Sequence, residues 1–167
     1  SFSKAAGFRS LTVAALKIMV TATLLVTAAV AEDEPGPVAR WDFNEGDSST
    51  LRDSSGNGND GKIHGARWVK AGGRSVLRFD GVDDYVDCGH GPSLDLRGPL
   101  TLEAWIHPDA PPAAEPGVLG KFFESYAITF FKTGAAYFYI SGGGNGVFGE
   151  IKVGQWSHIA GVFDGKE

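Results

Sequence analysis

Arg40-Trp-Asp-Phe-Asn-Glu-Gly46 opens a series of four segments that organise this chain. The other three are Asp53-Ser-Ser-Gly-Asn-Gly-Asn-Asp-Gly61, Phe79-Asp-Gly-Val-Asp-Asp-Tyr-Val86 and Trp156-Ser-His-Ile-Ala-Gly-Val-Phe-Asp-Gly165. Around them, short runs of β-branched and aromatic residues alternate with glycine-rich turns, and no window carries a sustained helical stripe. The pattern therefore predicts an all-β domain that begins near residue 38.

One strand and one hairpin are especially clear. Residues 100–107 alternate strictly, so the face with the even-numbered apolar residues is expected to belong to the core. Gly134 can supply the positive φ that a short hairpin loop needs between residues 126–132 and 136–141. The predicted strands cover residues 39–44, 61–68, 75–79, 85–88, 100–107, 117–122, 126–132, 136–141, 148–152 and 157–164.

Together, the four segments resemble the laminin-G-like (LamG-like) branch of the concanavalin A-like lectin and glucanase superfamily, from about residue 38 to residue 167. The resemblance implies an antiparallel jelly roll, in which two packed sheets form a sandwich. Relatives usually continue past the last segment with another strand and a closing segment, so the sandwich is expected to be incomplete at its C-terminus. Open strand edges would then make the fragment marginally stable or prone to aggregation.

Residues 1–31 have the features of a secretory signal peptide. Lys4, Arg9 and Lys17 form a basic beginning, residues 18–30 form an apolar run, and Ala29-Val-Ala31 provides the small-residue pattern of a cleavage site. The apolar run is shorter than the roughly 20 residues that a membrane span needs, which favours cleavage over an anchor. An acidic, proline-rich spacer is expected at residues 32–37, before the LamG-like domain at residues 38–167. The predicted location is secreted, cell-surface or periplasmic.

The charge of the chain is concentrated after this leader. All 20 acidic residues but only 12 of the 15 basic residues follow Ala31, which gives that part a formal charge of −8. A surface of that sign repels phosphate backbones, so nucleic acid is not expected as a partner. An extracellular glycan or protein is expected instead, with further domains beyond residue 167.

Cys88 is the single cysteine, so no internal disulfide can form. In an oxidising compartment it could act as a reactive thiol, bridge to another chain, or pair with a cysteine beyond residue 167. The alternation of residues 85–88 places it on the same face as Val86, which favours a small apolar residue at the end of a strand.

The strongest candidate site is acidic. Asp80, Asp83 and Asp84 lie on one short turn, and Ca²⁺ prefers several oxygen ligands from carboxylates, amides and carbonyls. Some members of the superfamily bind calcium near their ligand site, so the resemblance supports Ca²⁺ as a cofactor. The competing interpretation is turn chemistry, because aspartate and glycine are also what a turn between strands requires. Residues 53–61 have the same two interpretations, an ion-binding loop or a turn held by its own side chains. They do not match the EF-hand spacing.

Catalytic patterns do not appear in the sequence. The resemblance implies that glycoside hydrolases related to this sandwich carry a Glu-x-Asp-x-x-Glu pattern on one strand. This chain lacks that pattern, since Glu103 is the single acidic residue on its strand. The four histidines show no metal-ligand spacing, and His158 is expected to pack within its strand. The domain is therefore predicted not to be an enzyme.

Sugar binding needs flat rings beside hydrogen-bonding groups. The candidate ligand-binding residues are Trp68, Tyr137, Tyr139, Phe148 and, in a glycine-rich loop, Asn145. The competing interpretation is structural, because rings can simply cover a sheet face or fill a core, as is expected for Trp41, Trp105 and Trp156.

These observations predict a secreted, non-catalytic recognition module for a carbohydrate or another extracellular polymer, with Ca²⁺ as a candidate cofactor. Two alternatives stay open. One is an interaction or adhesion module that contacts proteins, and the other is an accessory domain of a larger polysaccharide-degrading enzyme. The fold does not decide between them.

Overall fold

The structure is a computed structural model that describes residues 36–121, 125–140 and 146–166. Within these residues, every strand pair is antiparallel and the only other regular element is a 3₁₀ turn at Pro92–Leu94, which confirms the predicted all-β class. The predicted signal peptide at residues 1–31 lies outside the described residues, as does most of the 32–37 spacer. No helix in the described part of the chain has the length and apolar character to cross a membrane.

Eleven strands follow one another in the described residues. They are β1 (Thr50–Leu51), β2 (Gly61–His64), β3 (Arg67–Ala71), β4 (Arg74–Arg78), β5 (Tyr85–Asp87), β6 (Leu100–Ile106), β7 (Gly117–Lys121), β8 (Tyr126–Phe130), β9 (Ala135–Ile140), β10 (Val147–Glu150) and β11 (Ser157–Phe163).

The larger hydrophobic core lies between two sheets in the C-terminal part. One sheet has the strand order β10-β9-β8-β7, and the other pairs β11 with β6. Leu102 and Ile159 from the two-stranded sheet meet Ile128 and Phe138 from the four-stranded sheet in one buried cluster. The alternation predicted for residues 100–107 is confirmed, because the even-numbered positions of β6 are buried or half-buried against this core.

The two sheets are in close contact where Gly161 on β11 meets Phe138 on β9. A Cβ atom at position 161 would overlap the Phe138 ring. Because protein cores are packed as densely as organic crystals, there is no free volume into which such an atom could move. Packing therefore requires glycine at this position.

A second, smaller core lies in the N-terminal part. It is covered by the sheet β1-β2-β5 and by the hairpin β3-β4. The buried residues are Trp41, Phe43, Leu51 and Val86, with Trp68 among those packed against them. Phe43 has a φ of 54°, a conformation that costs energy for a bulky residue. Burial of its ring, which contacts the Trp68 ring edge-on at 6.2 Å, offsets that cost.

Two predicted strands differ from the structure, and both lie in the N-terminal part. Residues 39–44 form no strand, since only an isolated bridge joins Trp41 to Asp53. The predicted strand 61–68 is divided into β2 and β3 at Gly65, where φ is 75° and a Cβ atom would overlap the Asp84 carboxylate. The short strand β1 was not predicted from the sequence.

The predicted hairpin of β8 and β9 is confirmed. The Phe131 N–H donates to the Ala135 carbonyl over 2.8 Å, and the Gly134 N–H donates back to Phe131 over 2.9 Å. Gly134 has a φ of 87°, which is the left-handed conformation that the loop requires.

We expect Gly161→Ala to lower the free energy of unfolding by about 1–3 kcal/mol, which is the usual cost of overpacking a core. Urea unfolding measures this change. The matched control is Gly149→Ala on β10, where a Cβ atom would meet nothing within 4 Å, and the expected change is within about 0.5 kcal/mol. Equal unfolding midpoints for the two variants would contradict the close packing of β11 on β9.

Candidate functional site

Tyr137 and Tyr139 lie on the outer face of β9. Ala136 and Phe138 of the same strand belong to the core, so the alternating residues between them point to the opposite side of the sheet. The two tyrosine rings stack with centroids 5.7 Å apart and an angle of 26° between their planes. Phe131 extends the series through an edge contact with Tyr137 at 5.8 Å. We define Phe131, Tyr137 and Tyr139 as the tyrosine face.

Neighbouring residues position these rings. The Gly146 N–H donates to the Tyr137 hydroxyl over 3.2 Å, and a Cβ atom on Gly146 would overlap the Tyr137 ring. On β8, Thr129 pairs with Tyr137 and Ala127 pairs with Tyr139. These short side chains allow the rings to lie close to the sheet, so β8 and Gly146 together hold the tyrosine face in place.

The structure brings together part of the predicted ligand-binding set. Tyr137 and Tyr139 are in contact, whereas Trp68 belongs to the N-terminal core and donates its Nε1–H to the Ser48 carbonyl over 2.6 Å. The backbone of Phe148 pairs with Tyr137 across β10 and β9. Asn145 lies outside the described residues. The structure therefore places Trp68 apart from the tyrosines, against the N-terminal core, and the two tyrosines form the centre of the candidate site.

The acidic turn between β4 and β5 brings three carboxylates together. Asp80, Asp83 and Asp84 each place a carboxylate oxygen within 4.8 Å of the others. The turn also uses two of these groups internally, because Asp80 Oδ1 accepts the Val82 N–H and Asp84 Oδ2 accepts the Asp80 N–H, both at 2.8 Å. The same side chains thus provide turn chemistry and a converging set of oxygen donors of the kind that Ca²⁺ prefers.

Hydrogen bonding also stabilises the charged form of Asp80 on this turn. The Val82 N–H, followed by that of Asp83, lowers the pKa of the Asp80 carboxyl below its ordinary value. Asp80 and Asp83 are exposed and Asp84 is half-buried, so a cation can reach the turn from solvent. The three carboxylates thus form a converging set of oxygen donors, and the internal hydrogen bonds explain the turn without an ion.

Asp53 is the centre of a hydrogen-bonded loop. Its Oδ1 accepts the N–H groups of Arg40 and Ser55, and its Oδ2 accepts the Asn59 N–H, all at 2.9 Å. Asn59 is buried and accepts the Ser93 hydroxyl over 2.7 Å. Burial raises the pKa of the Asp53 carboxyl, but these donors outweigh that effect and the pKa lies below its ordinary value. The loop 53–61 thus has the hydrogen bonds that turn chemistry predicts.

Cys88 is half-buried and packs against the N-terminal core. Burial, followed by the charge of Asp87, raises the pKa of its thiol to about 12. A thiol with that pKa is protonated at neutral pH and is a poor nucleophile. These features favour a packing role for Cys88 over a reactive one.

The outer face of β6 and β11 carries aromatic and histidine rings, and the prediction for one of them, Trp156, was wrong. Trp156 was expected in the core but is 44% exposed, and its ring lies 5.5 Å from that of His107. His158 is also exposed, with its ring 5.1 Å from Trp105 and its Nε2 3.5 Å from Glu103 Oε2. The buried positions of β11 are odd-numbered, so alternation along this strand was the signal that could have placed positions 156 and 158 outside.

A family model described as the concanavalin A-like lectin/glucanases superfamily matches residues 80–167, which is just over half of the chain. The chain belongs to this superfamily. The match confirms the LamG-like jelly roll predicted from the sequence, and it includes both the acidic turn and the tyrosine face. LamG-like domains are typically non-catalytic binding modules and are generally extracellular. No curated protein and no solved structure is matched.

We expect Asp53→Asn to destabilise this LamG-like domain by about 1–2 kcal/mol at neutral pH, because it weakens hydrogen bonds that end on a charged acceptor. The folded-state pKa lies below the ordinary 3.8, so the stabilisation is present above that pH and is lost as the pH falls through the folded-state pKa. Urea unfolding at about pH 7 and about pH 2.5 measures both effects.

The matched control for this prediction is Asp47→Asn, an exposed aspartate in the same part of the chain. It should change stability by less than about 0.5 kcal/mol. If the wild type and Asp53→Asn differed in free energy of unfolding by the same amount at both pH values, the charge of Asp53 would not be what stabilises the loop.

Proposed function

We propose that this LamG-like domain is a secreted, non-catalytic module that binds a carbohydrate through the tyrosine face. The observation that supports this function best is the stacked pair Tyr137 and Tyr139, with Phe131 in contact at one end. Aromatic rings offer a flat apolar surface to the C–H face of a pyranose, while their hydroxyl groups can bond sugar hydroxyls. Two adjacent rings give a saccharide chain successive places of contact.

The surroundings of the rings support binding over hydrolysis. Glycoside hydrolysis needs two carboxyl groups on either side of the scissile bond. The described residues of β8 and β9 that share this face are Ala127, Thr129, Ala135, Tyr137 and Tyr139, none of which is a carboxylate. The neighbouring strand β10 adds a single carboxylate, that of Glu150 opposite Ala135, and not the pair that hydrolysis needs. A non-catalytic role agrees with what is typical of LamG-like domains.

Secretion is part of the proposal, and its support comes from the sequence. A basic beginning, an apolar run and Ala29-Val-Ala31 precede the domain. The low cysteine content does not conflict with export, because the single thiol of Cys88 is half-buried and its pKa is raised by burial. The accessory-domain alternative places the same binding face in a larger polysaccharide-degrading enzyme.

The tyrosine face is tested by replacing both rings. We expect the wild-type chain to bind members of a glycan array, and Tyr137→Ala with Tyr139→Ala to weaken the best of these by about tenfold or more, since the double variant removes both ring contacts and tenfold corresponds to about 1.4 kcal/mol. Isothermal titration calorimetry with that glycan measures the change.

Tyr85→Ala is the matched control, because Tyr85 is also half-buried and stacked, on His64 at 4.5 Å, but lies on β5 in another sheet. It should leave glycan affinity unchanged. Failure of the folded wild-type chain to bind any glycan would reject the carbohydrate function and favour the protein-binding alternative.

We propose in addition that Asp80, Asp83 and Asp84 hold Ca²⁺. Like charges on one short turn repel one another, and a divalent cation bound by the three carboxylates removes that repulsion. A ligand that binds only the folded state stabilises it by mass action, by about 2.7 kcal/mol at a hundred times its dissociation constant. The wild-type chain should therefore melt at a higher temperature in calcium than in chelator.

The variant Asp80→Asn with Asp83→Asn should lose this calcium response. Asparagine at position 80 can still accept the Val82 N–H, so the turn itself is retained. Asp47→Asn, which removes one negative charge at an exposed position elsewhere, should respond as the wild type does. An unchanged response in the double variant rejects these ligands, and no response in the wild type leaves turn chemistry as the whole role of the cluster.

A further inference from the structure

A cleft in the C-terminal part is lined by residues from the ends of strands in both sheets. One wall is formed by residues 95–98 and the first residue of β6, and the other by the last residue of β7, the first of β8 and the last of β9. Its volume is about 430 Å³, which lies within the range of small-molecule sites. Leu100, Tyr126 and Ile140 belong to the larger core or pack against it, so this part of the lining is apolar.

The rim of the cleft carries two cations and one carboxylate. Arg97 Nη2 lies 3.2 Å from Asp95 Oδ2, and Lys121 Nζ lies 3.5 Å from Asp95 Oδ1. Because a single carboxylate serves both cations, the described lining residues keep a formal charge of +1. The chain after Ala31 has the opposite sign, with a formal charge of −8, so the cleft is a local reversal of charge.

These ion pairs contribute little to the stability of the fold. The Arg97 side chain is 84% exposed and that of Asp95 is 46% exposed, and exposed pairs contribute about 0–1 kcal/mol to stability. The Lys121 side chain is less accessible, at 23%, so its charge lies where partial loss of solvent strengthens an interaction with an anion. The rim can therefore be altered without unfolding the domain.

We propose that this cleft binds a carboxylate-bearing sugar, such as a uronate unit, as a site separate from the tyrosine face. Arg97 and Lys121 would pair with the sugar carboxylate, and the apolar lining would contact the C–H face of the ring. Arginine suits this role because its planar guanidinium matches a carboxylate with two parallel hydrogen bonds. A neutral sugar would leave the positive charge of the rim uncompensated.

The two sites use opposite sides of β9. Ile140 lines the cleft from the core side, whereas Tyr139 lies on the outer side. The inference rests on the proposed function only in taking the ligand to be a saccharide. A substitution can therefore remove binding at one site and leave binding at the other unchanged.

The test is calorimetric titration of the wild-type chain with tetragalacturonate and with its fully methyl-esterified form. The two probes share a ring and differ in charge. We expect the acid to bind about tenfold or more tightly than the ester, and its affinity to fall as salt is raised. No binding of the acid, or equal binding of the two probes, would overturn the proposal.

Three variants then locate the site. Arg97→Gln with Lys121→Gln should weaken acid binding by about tenfold or more, whereas Lys62→Gln with Arg74→Gln, which removes two exposed cations elsewhere, should not. Asp95→Asn should strengthen acid binding several-fold, because it frees both cations. Weaker binding by Asp95→Asn would overturn the assigned roles.

The tyrosine variant separates this inference from the proposed function. Tyr137→Ala with Tyr139→Ala should keep the binding of tetragalacturonate while it loses the neutral glycan. If acid binding is lost with the tyrosines and kept without Arg97 and Lys121, the cleft is refuted and the tyrosine face stands. If the acid binds the cleft but no neutral glycan binds the tyrosine face, the proposed function fails and the cleft stands.

Discussion

The contact between Phe138 and Gly161 is the constraint on which the C-terminal half depends. A strand that faces a packed core has one permitted register, because a shift by one residue would exchange its two faces. Phe138 fits against β11 only because position 161 has no side chain. This fit holds β9 with Ala136 inside, and the tyrosines outside follow from it. The tyrosine face is thus a consequence of core packing, although none of its rings belongs to the core.

The N-terminal half depends on hydrogen bonds to a greater degree. Among the described residues, its buried cluster contains four members, whereas the C-terminal cluster contains twelve. A small apolar core leaves more of the chain to be ordered by polar groups. Asp53 and Asn59 provide this order, since Asp53 binds three backbone N–H groups and the Asn59 carbonyl accepts the Trp41 Nε1–H over 3.0 Å. The aspartate- and asparagine-rich loop therefore connects the first segment to the core.

The sequence predicted those parts of the fold in which local pattern and tertiary environment agree. Strict alternation gave β6, and a glycine between two apolar runs gave the hairpin of β8 and β9. Prediction was wrong where a distant residue decides the local structure. The break between β2 and β3 occurs at Gly65, whose φ of 75° interrupts the extended backbone. The Asp84 carboxylate occupies the space that a side chain at position 65 would need, and nothing near Gly65 in the sequence indicates this contact. The bridge of Trp41 to Asp53 likewise replaces a strand, because loop hydrogen bonds satisfy the backbone there.

In the candidate site, too, local sequence predicts some features, whereas others depend on contacts between distant residues. Tyr137 and Tyr139 were predictable as a pair, because residues two apart on a strand share a face. The packing of Trp68 against the N-terminal core was not predictable, because an aromatic residue on a half-buried strand has the same local pattern whether its ring faces a ligand or a core. The cleft could not be predicted, since its lining comes from the ends of four strands and from residues 95–98, which meet only after both sheets have packed.

Residues 137–140 of β9 must satisfy three packing requirements at once. Phe138 must fill the space over Gly161, the two tyrosines must stack on the outer side, and Ile140 must reach both the core and the cleft. Alternation satisfies these requirements together, because adjacent residues face different surroundings. A substitution on one side of β9 can therefore alter the tyrosine face without altering the cleft, or the reverse, provided that Phe138 stays packed on Gly161. The rigidity supplied by the core is then what allows a single strand to present an uncharged aromatic face on one side and to contribute to a cationic cleft on the other.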